Sequence, residues 1–176
     1  MNERASVRTV AQLRESFDES FSKAAVSEYE GREDLLVIRA ASRQLAIRTG
    51  EIGGIMHCPV LTPLPSARPA LRGLAGVRGV LVAVYSMAAL IGESPSSESN
   101  GWIVLAAVDR TVAFLFEELV GYERVRSSEV HTADRTRQDS SSTEAVQIAG
   151  FNRTVISIGG LLETIHGTKR SGAEEE

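Results

Sequence analysis

From Leu35 onward the chain is a succession of short apolar, β-branched runs broken by polar or glycine-containing turns, which is the pattern of strands. Leu35 to Ala40 and Gln44 to Ile47 flank a polar turn at Ser42 and Arg43, and Trp102 to Val108 and Thr111 to Phe116 flank Asp109 and Arg110. Both pairs read as hairpins. A third strand follows each, Ile52 to Met56 in one case and Leu119 to Val125 in the other, then an irregular loop and a second hairpin. The second hairpins are expected to turn at Arg78 and Gly79 and at Asn152 and Arg153. Short helical pieces, Met87 to Ile91 and Leu161 to His166, close the two series.

The order of elements thus occurs twice, and the residues carry a faint echo of it. AIRTGEIGGI from Ala46 lines up with AFLFEELVGY from Ala113, matching Ala46 with Ala113, Glu51 with Glu118 and Gly54 with Gly121 at a spacing of 67. LAGVRGVLVAV from Leu74 lines up with IAGFNRTVISI from Ile148, matching Ala75 with Ala149 and Gly76 with Gly150 at a spacing of 74. The difference is absorbed by the Ser, Arg and Asp-rich stretch 133–143. An internal repeat fixes architecture before any motif does. Five short strands per copy cannot hide their edges in a flat sheet, so two small closed barrels are expected, about 33–92 and 101–168. The fold class is all-β with minor helices.

Glu93 to Gly101, ESPSSESNG, has the composition of a solvated linker. Pro59, Pro63, Pro65 and Pro69 each remove a backbone donor, so that stretch is a loop. Residues 1–32 read as a helical extension: Thr9 and Gln12 suit a capping box, and Val10, Leu13, Phe17 and Phe21 form one apolar stripe. The stripe is expected to dock on the barrels or on a partner. Residues 169–176, ending in SGAEEE, read as a disordered tail.

Composition narrows the function. Of 176 residues 43% are hydrophobic and 5% aromatic, enough for a core built mostly of aliphatic side chains. Nineteen basic against twenty-three acidic residues give a net charge of −4, which argues against a nucleic-acid partner. Cys58 is the only cysteine, so no intrachain disulfide or multi-cysteine metal site is expected. No apolar run approaches the roughly 18 to 20 residues of a membrane span, and a cytoplasmic chain with no direct membrane insertion is expected.

Candidate chemistry is thin. His57 and Cys58 are adjacent, so on a strand they face opposite ways and cannot activate each other. His131 and His166 lack acidic or cysteine neighbours at metal-ligand spacing. Glu117 and Glu118 read as a solvated strand end. Gly53-Gly54 and Gly159-Gly160 have no phosphate-loop frame and read as bulges or bends. No catalytic residue, metal ligand or cofactor site is assigned. A protein-binding surface is left as the expected function.

The stretch TPLPSARPALRGLAGVRGVLVAVYSMAALIG resembles the family of CheW-like adaptors, in Gly73, Gly76-Val77-Arg78-Gly79, Ala83 to Met87 and Leu90-Ile91-Gly92. EDLLVIRAASRQLAIRTGEIGGI resembles that family's opening hairpin and third strand, and the likeness spans about Glu33 to Thr168. The resemblance implies two five-stranded barrels and no enzymatic activity. It also implies a scaffold between the cytoplasmic tips of methyl-accepting chemoreceptors and the regulatory domain of a CheA-type histidine kinase. Carried over by position, the partner-binding residues are Ile52, Ile55, Gly73, Arg78 and Gly79. An arginine at a hairpin tip suits an interface ion pair or a carbonyl cluster.

The chain departs from the family pattern at three places. Gly54 replaces an acidic residue, Gly76-Val77 replaces Asn-Leu, and Ser86 replaces an aspartate at a strand end. The alternatives are therefore a divergent member that binds one of the two partners in a non-chemotaxis chemosensory pathway, and a small-ligand-binding barrel.

Overall fold

The computed structural model describes residues 31–66, 68–94, 101–132 and 144–167. The chain divides into two units, Met1–Arg32 and Glu33–Glu176, and the two sheets belong to the second. The expected N-terminal helix and C-terminal tail lie outside the described residues, as do most of the linker and stretch 133–143.

The hairpin of β1 (Arg32–Ala40) and β2 (Arg43–Arg48), which turns at Ala41-Ser42 and not at Ser42-Arg43, leads through a single 3-10 turn, Thr49–Glu51, into β3 (Ile52–His57). After the prolyl loop come β4 (Leu71–Val77), β5 (Val80–Ser86) and the short helix α1 (Met87–Leu90). The second half supplies β6 (Trp102–Ala106), β7 (Val112–Phe116), β8 (Glu118–Arg126), β9 (Val130–Thr132), β10 (Glu144–Ile148), β11 (Phe151–Ile156) and the helix α2 (Ile158–Gly167). The short β9 was not expected, and the β10–β11 hairpin is displaced, since β11 runs through Asn152 and Arg153 where a turn was expected.

The sheets have six and five strands. Their orders are β8-β1-β2-β11-β10-β9 and β3-β6-β7-β5-β4. Two five-stranded units were expected, and β9, three residues joined to β10, is the extra strand in the larger sheet. A larger correction concerns the halves. Each sheet takes strands from both repeats: β2 lies parallel to β11, β5 lies parallel to β7, and β3 lies antiparallel to β6. Neither 33–92 nor 101–168 completes a sheet alone. The physical reason is the brevity of two corners, Thr49–Glu51 after β2 and Glu117 after β7, which carry the chain across to the other sheet.

The second repeat alignment also shifts. Ile148 pairs with Phe151, so the turn is Ala149-Gly150 and not Asn152-Arg153. Its counterpart is Arg78-Gly79, between the paired Val77 and Val80. All four turn residues have left-handed φ values (49° and 81°, 51° and 82°), the requirement of the tight turn that matches strand twist. Gly79 therefore corresponds to Gly150. Alternating apolar strands can slide past one another in sequence, whereas turn geometry pins the register. Gly159 and Gly160 are likewise no bulge; they form the first turn of α2.

Alternation explains the core. In β1 and β2, Leu35, Val37 and Ala46 face a cluster with Val125, Val146, Ile148 and Val155, while Ile38, Ala40, Leu45 and Ile47 face the opposite way. In β7, Ala113 and Leu115 join a third cluster with Val82, Val84 and Ile103, while Val112, Phe114 and Phe116 turn to the same central cluster as Ile38 and Leu45. The central cluster is roofed by α1 and by Ile158, Leu161, Leu162 and Ile165 of α2. Strands buried on both faces must be apolar at every position, which is why VAFLF shows no polar alternation. Phe114 is fully buried at this junction. Phe114→Ala is expected to destabilise the fold by about 3–5 kcal/mol, read from urea denaturation midpoints, because it removes a ring from a site packed on both sides.

Candidate functional site

The residues expected to meet a partner lie on the two end strands of the five-stranded sheet, β3 and β4, with β6, β7 and β5 between them. Each of these end strands is interrupted by a bulge, β3 between Ile52 and Gly54 and β4 between Leu71 and Gly73. A bulge places an extra residue in one strand and so changes which face the following side chains occupy.

In β3 the bulge depends on glycine. A Cβ on Gly53 would stand 2.9 Å from the Ala106 carbonyl oxygen, so no larger residue fits without moving backbone. Past the bulge the pairing is Gly54 with Leu105, Ile55 with Val104, Met56 with Ile103 and His57 with Trp102. Directly opposed residues share a face, so Ile52, Ile55 and His57 point to one side although they are three and two residues apart. Ile52 is half-buried and packs against the central cluster. Ile55 stands clear of it with 38% of its surface exposed. The His57 ring stacks on Trp102 with centroids 3.8 Å apart, extending the apolar stripe.

Gly73 is buried, with φ +145°, and a Cβ there would lie 2.4 Å from the Thr62 carbonyl oxygen. The reason is a bridge: Thr62 and Leu74 exchange two 2.8 Å backbone hydrogen bonds, pressing the prolyl loop onto β4. Gly73 has no side chain to offer and no room for one, so its place is to let that loop close. At the far end of β4 the tight turn lifts Arg78 and Gly79 into solvent, and Val80 (49% exposed) and Leu81 (69% exposed) follow on β5. Sequence reasoning passed over these two residues, although apolar side chains directly after a two-residue turn are a readable signal.

The remaining candidates are accounted for by local contacts. Cys58 packs beside the Val82 cluster and its thiol donates to the Pro59 carbonyl at 3.4 Å, while His57 turns to Trp102. Burial pushes the Cys58 thiol pKa up, against a small opposing pull from Arg72. Ser86, buried where the family has an aspartate, accepts from the Ala89 N–H at 3.3 Å and caps α1. Glu117 is not a solvated strand end; its carboxylate accepts the Ala41 N–H at 2.8 Å across the sheet corner. Glu118 is exposed and pairs with Arg39. Among the described residues no group of three or more His, Cys, Asp or Glu side chains is placed to hold a metal ion. No helix among them is long and apolar enough to cross a membrane.

The exposed apolar groups, Ile55 on β3 and Val80 and Leu81 beside Arg78 at the β4–β5 tip, thus lie on elements at the two ends of the five-stranded sheet. The CheW-like domain family matches residues 34–165, which is most of the chain and both sheets. The chain belongs to the CheW-like domain family. Its fold is similar to the scaffolding protein TtCheW from Thermoanaerobacter tengcongensis, with a TM-score of 0.67 at 10% identity over 73% of this chain and 86% of that one. Protein PilI of Pseudomonas aeruginosa is 26% identical over 87 residues, 48% of this chain. The chain spans about half the length of that curated relative, 49%.

For this CheW-like domain the two glycines on β4 and its turn separate cleanly. Gly73→Ala is expected to lower the thermal midpoint more than Gly79→Ala, since the first meets a backbone oxygen and the second open space, leaving only about 1–2 kcal/mol of left-handed strain. The elevated Cys58 pKa lowers its thiolate fraction at neutral pH. Its alkylation by a maleimide is therefore expected to be slower than that of a cysteine peptide at pH 7, with the rate still climbing above the ordinary thiol pKa of about 8.5.

Proposed function

We propose that the chain is a non-catalytic, cytoplasmic adaptor in bacterial chemosensory signalling, coupling methyl-accepting chemoreceptor tips to the regulatory domain of a CheA-type histidine kinase. The observation that carries this reading is the surface of the five-stranded sheet: Ile55 exposed on β3, and Arg78 with Val80 and Leu81 at the β4–β5 tip. Membership of the CheW-like domain family supports the kind of partner. The stripe and the tip lie at different strands of one rigid sheet, which suits a bridge gripping two proteins at once. Apolar anchors of this sort supply most of an interface's strength, and the arginine adds orientation and specificity.

Divergence from the family pattern favours a second, narrower reading. Gly54 stands before the exposed Ile55 where the family resemblance expects a carboxylate, so β3 lacks that group on the face opposite Ile55. Removing a charge-assisted acceptor weakens one particular contact and leaves the others. On this reading the chain engages only one of the two partners, in a pathway whose output is not chemotaxis.

Calorimetry with the cognate kinase regulatory domain and with a receptor-tip fragment tests both. The wild-type chain is expected to bind the regulatory domain. Ile55→Asp and Arg78→Ala are each expected to weaken a partner contact by roughly 1–3 kcal/mol, with denaturation midpoints close to wild type because both side chains are exposed. Binding to one partner alone selects the second reading, and binding to neither rejects both.

A further inference from the structure

The two end strands that carry the candidate surface each pair with one strand, β3 with β6 and β4 with β5, and β4 meets the prolyl loop besides at the Thr62–Leu74 bridge. An end strand with a full ladder on one side only is the part of a sheet most free to shift. Here the approach to each end strand is tied to a common body, the helix α2, by a side chain that the family resemblance does not single out.

Glu51, immediately before β3, directs its carboxylate at the N-terminus of α2. One oxygen accepts the Ile158 N–H at 2.5 Å, the Gly159 N–H at 3.3 Å and the Ser157 hydroxyl at 3.2 Å. The first-turn N–H groups of a helix lack intrahelical partners, and a carboxylate satisfies them both by hydrogen bonding and by charge. The Glu51 carbonyl meanwhile accepts the Ala107 N–H at 3.0 Å, so the residue is fixed at both ends. At the other terminus of α2, Arg68 of the prolyl loop donates to the Ile165 carbonyl at 3.3 Å, and its own carbonyl accepts the Leu71 N–H where β4 begins. The helix is a firm anchor, because Ile158, Leu161, Leu162 and Ile165 are all buried in the central cluster.

We propose that α2 is the strut of the docking face, and that Glu51 and Arg68 are positioning residues that hold the leading ends of β3 and β4 against it. This rests on the reading of β3 and the β4–β5 tip as partner-engaging elements. A chain segment far from the face in sequence thereby sets its geometry. Neither residue needs to touch a partner.

The test uses the full chain in two measurements, hydrogen exchange of the free protein and calorimetric binding to the cognate kinase regulatory domain. Glu51→Ala is expected to speed exchange in residues 52–56 and 158–161 roughly tenfold, with β7 unchanged, and to weaken binding roughly tenfold. Glu51→Gln keeps an acceptor oxygen in the same place and is expected to hold both readouts within about twofold of wild type. Wild-type exchange in Glu51→Ala overturns the strut. So does a Glu51→Gln chain that loses binding while its exchange stays native, since that would put the charge itself against a partner. Should Glu51→Ala fail to fold, Arg68→Ala decides: faster exchange in residues 71–74 and 162–167 supports the proposal, and unchanged exchange there overturns it. A wild-type chain that binds no regulatory domain rejects the adaptor reading instead, and the two failures are told apart because exchange is read without a partner.

Discussion

The inner strands β1, β2 and β7 are buried on both faces, and this is possible only because each half of the chain completes the sheet of the other. β2 needs β11 beside it, β5 needs β7, and β3 needs β6. The exchange brings Ile38, Leu45 and Ile47 of one sheet against Val104, Phe114 and Phe116 of the other, under two helices. Separating the halves would expose the central cluster and divide the other two as well, since all three take residues from both halves. The hydrophobic effect scales with apolar area removed from water, so a shared cluster of this size makes the two sheets one cooperative body.

That constraint explains where polar groups are tolerated. The chain crosses between sheets at two corners, and at each a glutamate turns inward to satisfy backbone donors: Glu51 takes those at the start of α2, and Glu117 takes the Ala41 N–H at the β1–β2 turn. Buried or half-buried N–H groups left without acceptors would cost about 1–3 kcal/mol each. Arg48, at the end of β2, similarly draws Glu33 of β1 and Glu144 of β10 to one point, and those hydrogen bonds raise its pKa against the opposing effect of its partial burial. Ion pairs elsewhere, such as Arg124 with Asp34, lie at the surface and add little to stability.

A body whose inner strands are committed to packing has only its end strands and hairpin tips to present to other molecules. Glycine makes those elements usable. Gly53 allows the bulge that brings Ile55 to the same face as Ile52, Gly73 allows the prolyl loop to lie on β4, and Gly79 allows the turn that lifts Arg78. The clusters on the outer side of each sheet are filled with aliphatic side chains, Leu35, Val37 and Val146 in one and Val82, Val84 and Ile103 in the other. A chain built this way is suited to gripping protein surfaces.

Most strand positions, the order of the hairpins, the Arg78-Gly79 turn and the CheW-like family were legible in the hydrophobic pattern, in turn residues and in family resemblance. These are local properties: a two-residue turn demands particular φ values, and a strand buried on both faces demands unbroken apolar residues. That Ile52 and Ile55, three residues apart, share one face was not legible, because a bulge changes facing without changing composition. The true register of the second hairpin was lost for a related reason, that short apolar strands align almost equally well at several offsets. Nor could a linear reading see that the repeats exchange strands, or that Glu51 and Arg68 converge on opposite ends of one helix. The sequence by itself determined which segments become strands and where they turn, through steric and hydrophobic rules acting over a few residues. Which strands become neighbours was decided only in three dimensions, where burying the second face of each inner strand required a partner from the other half.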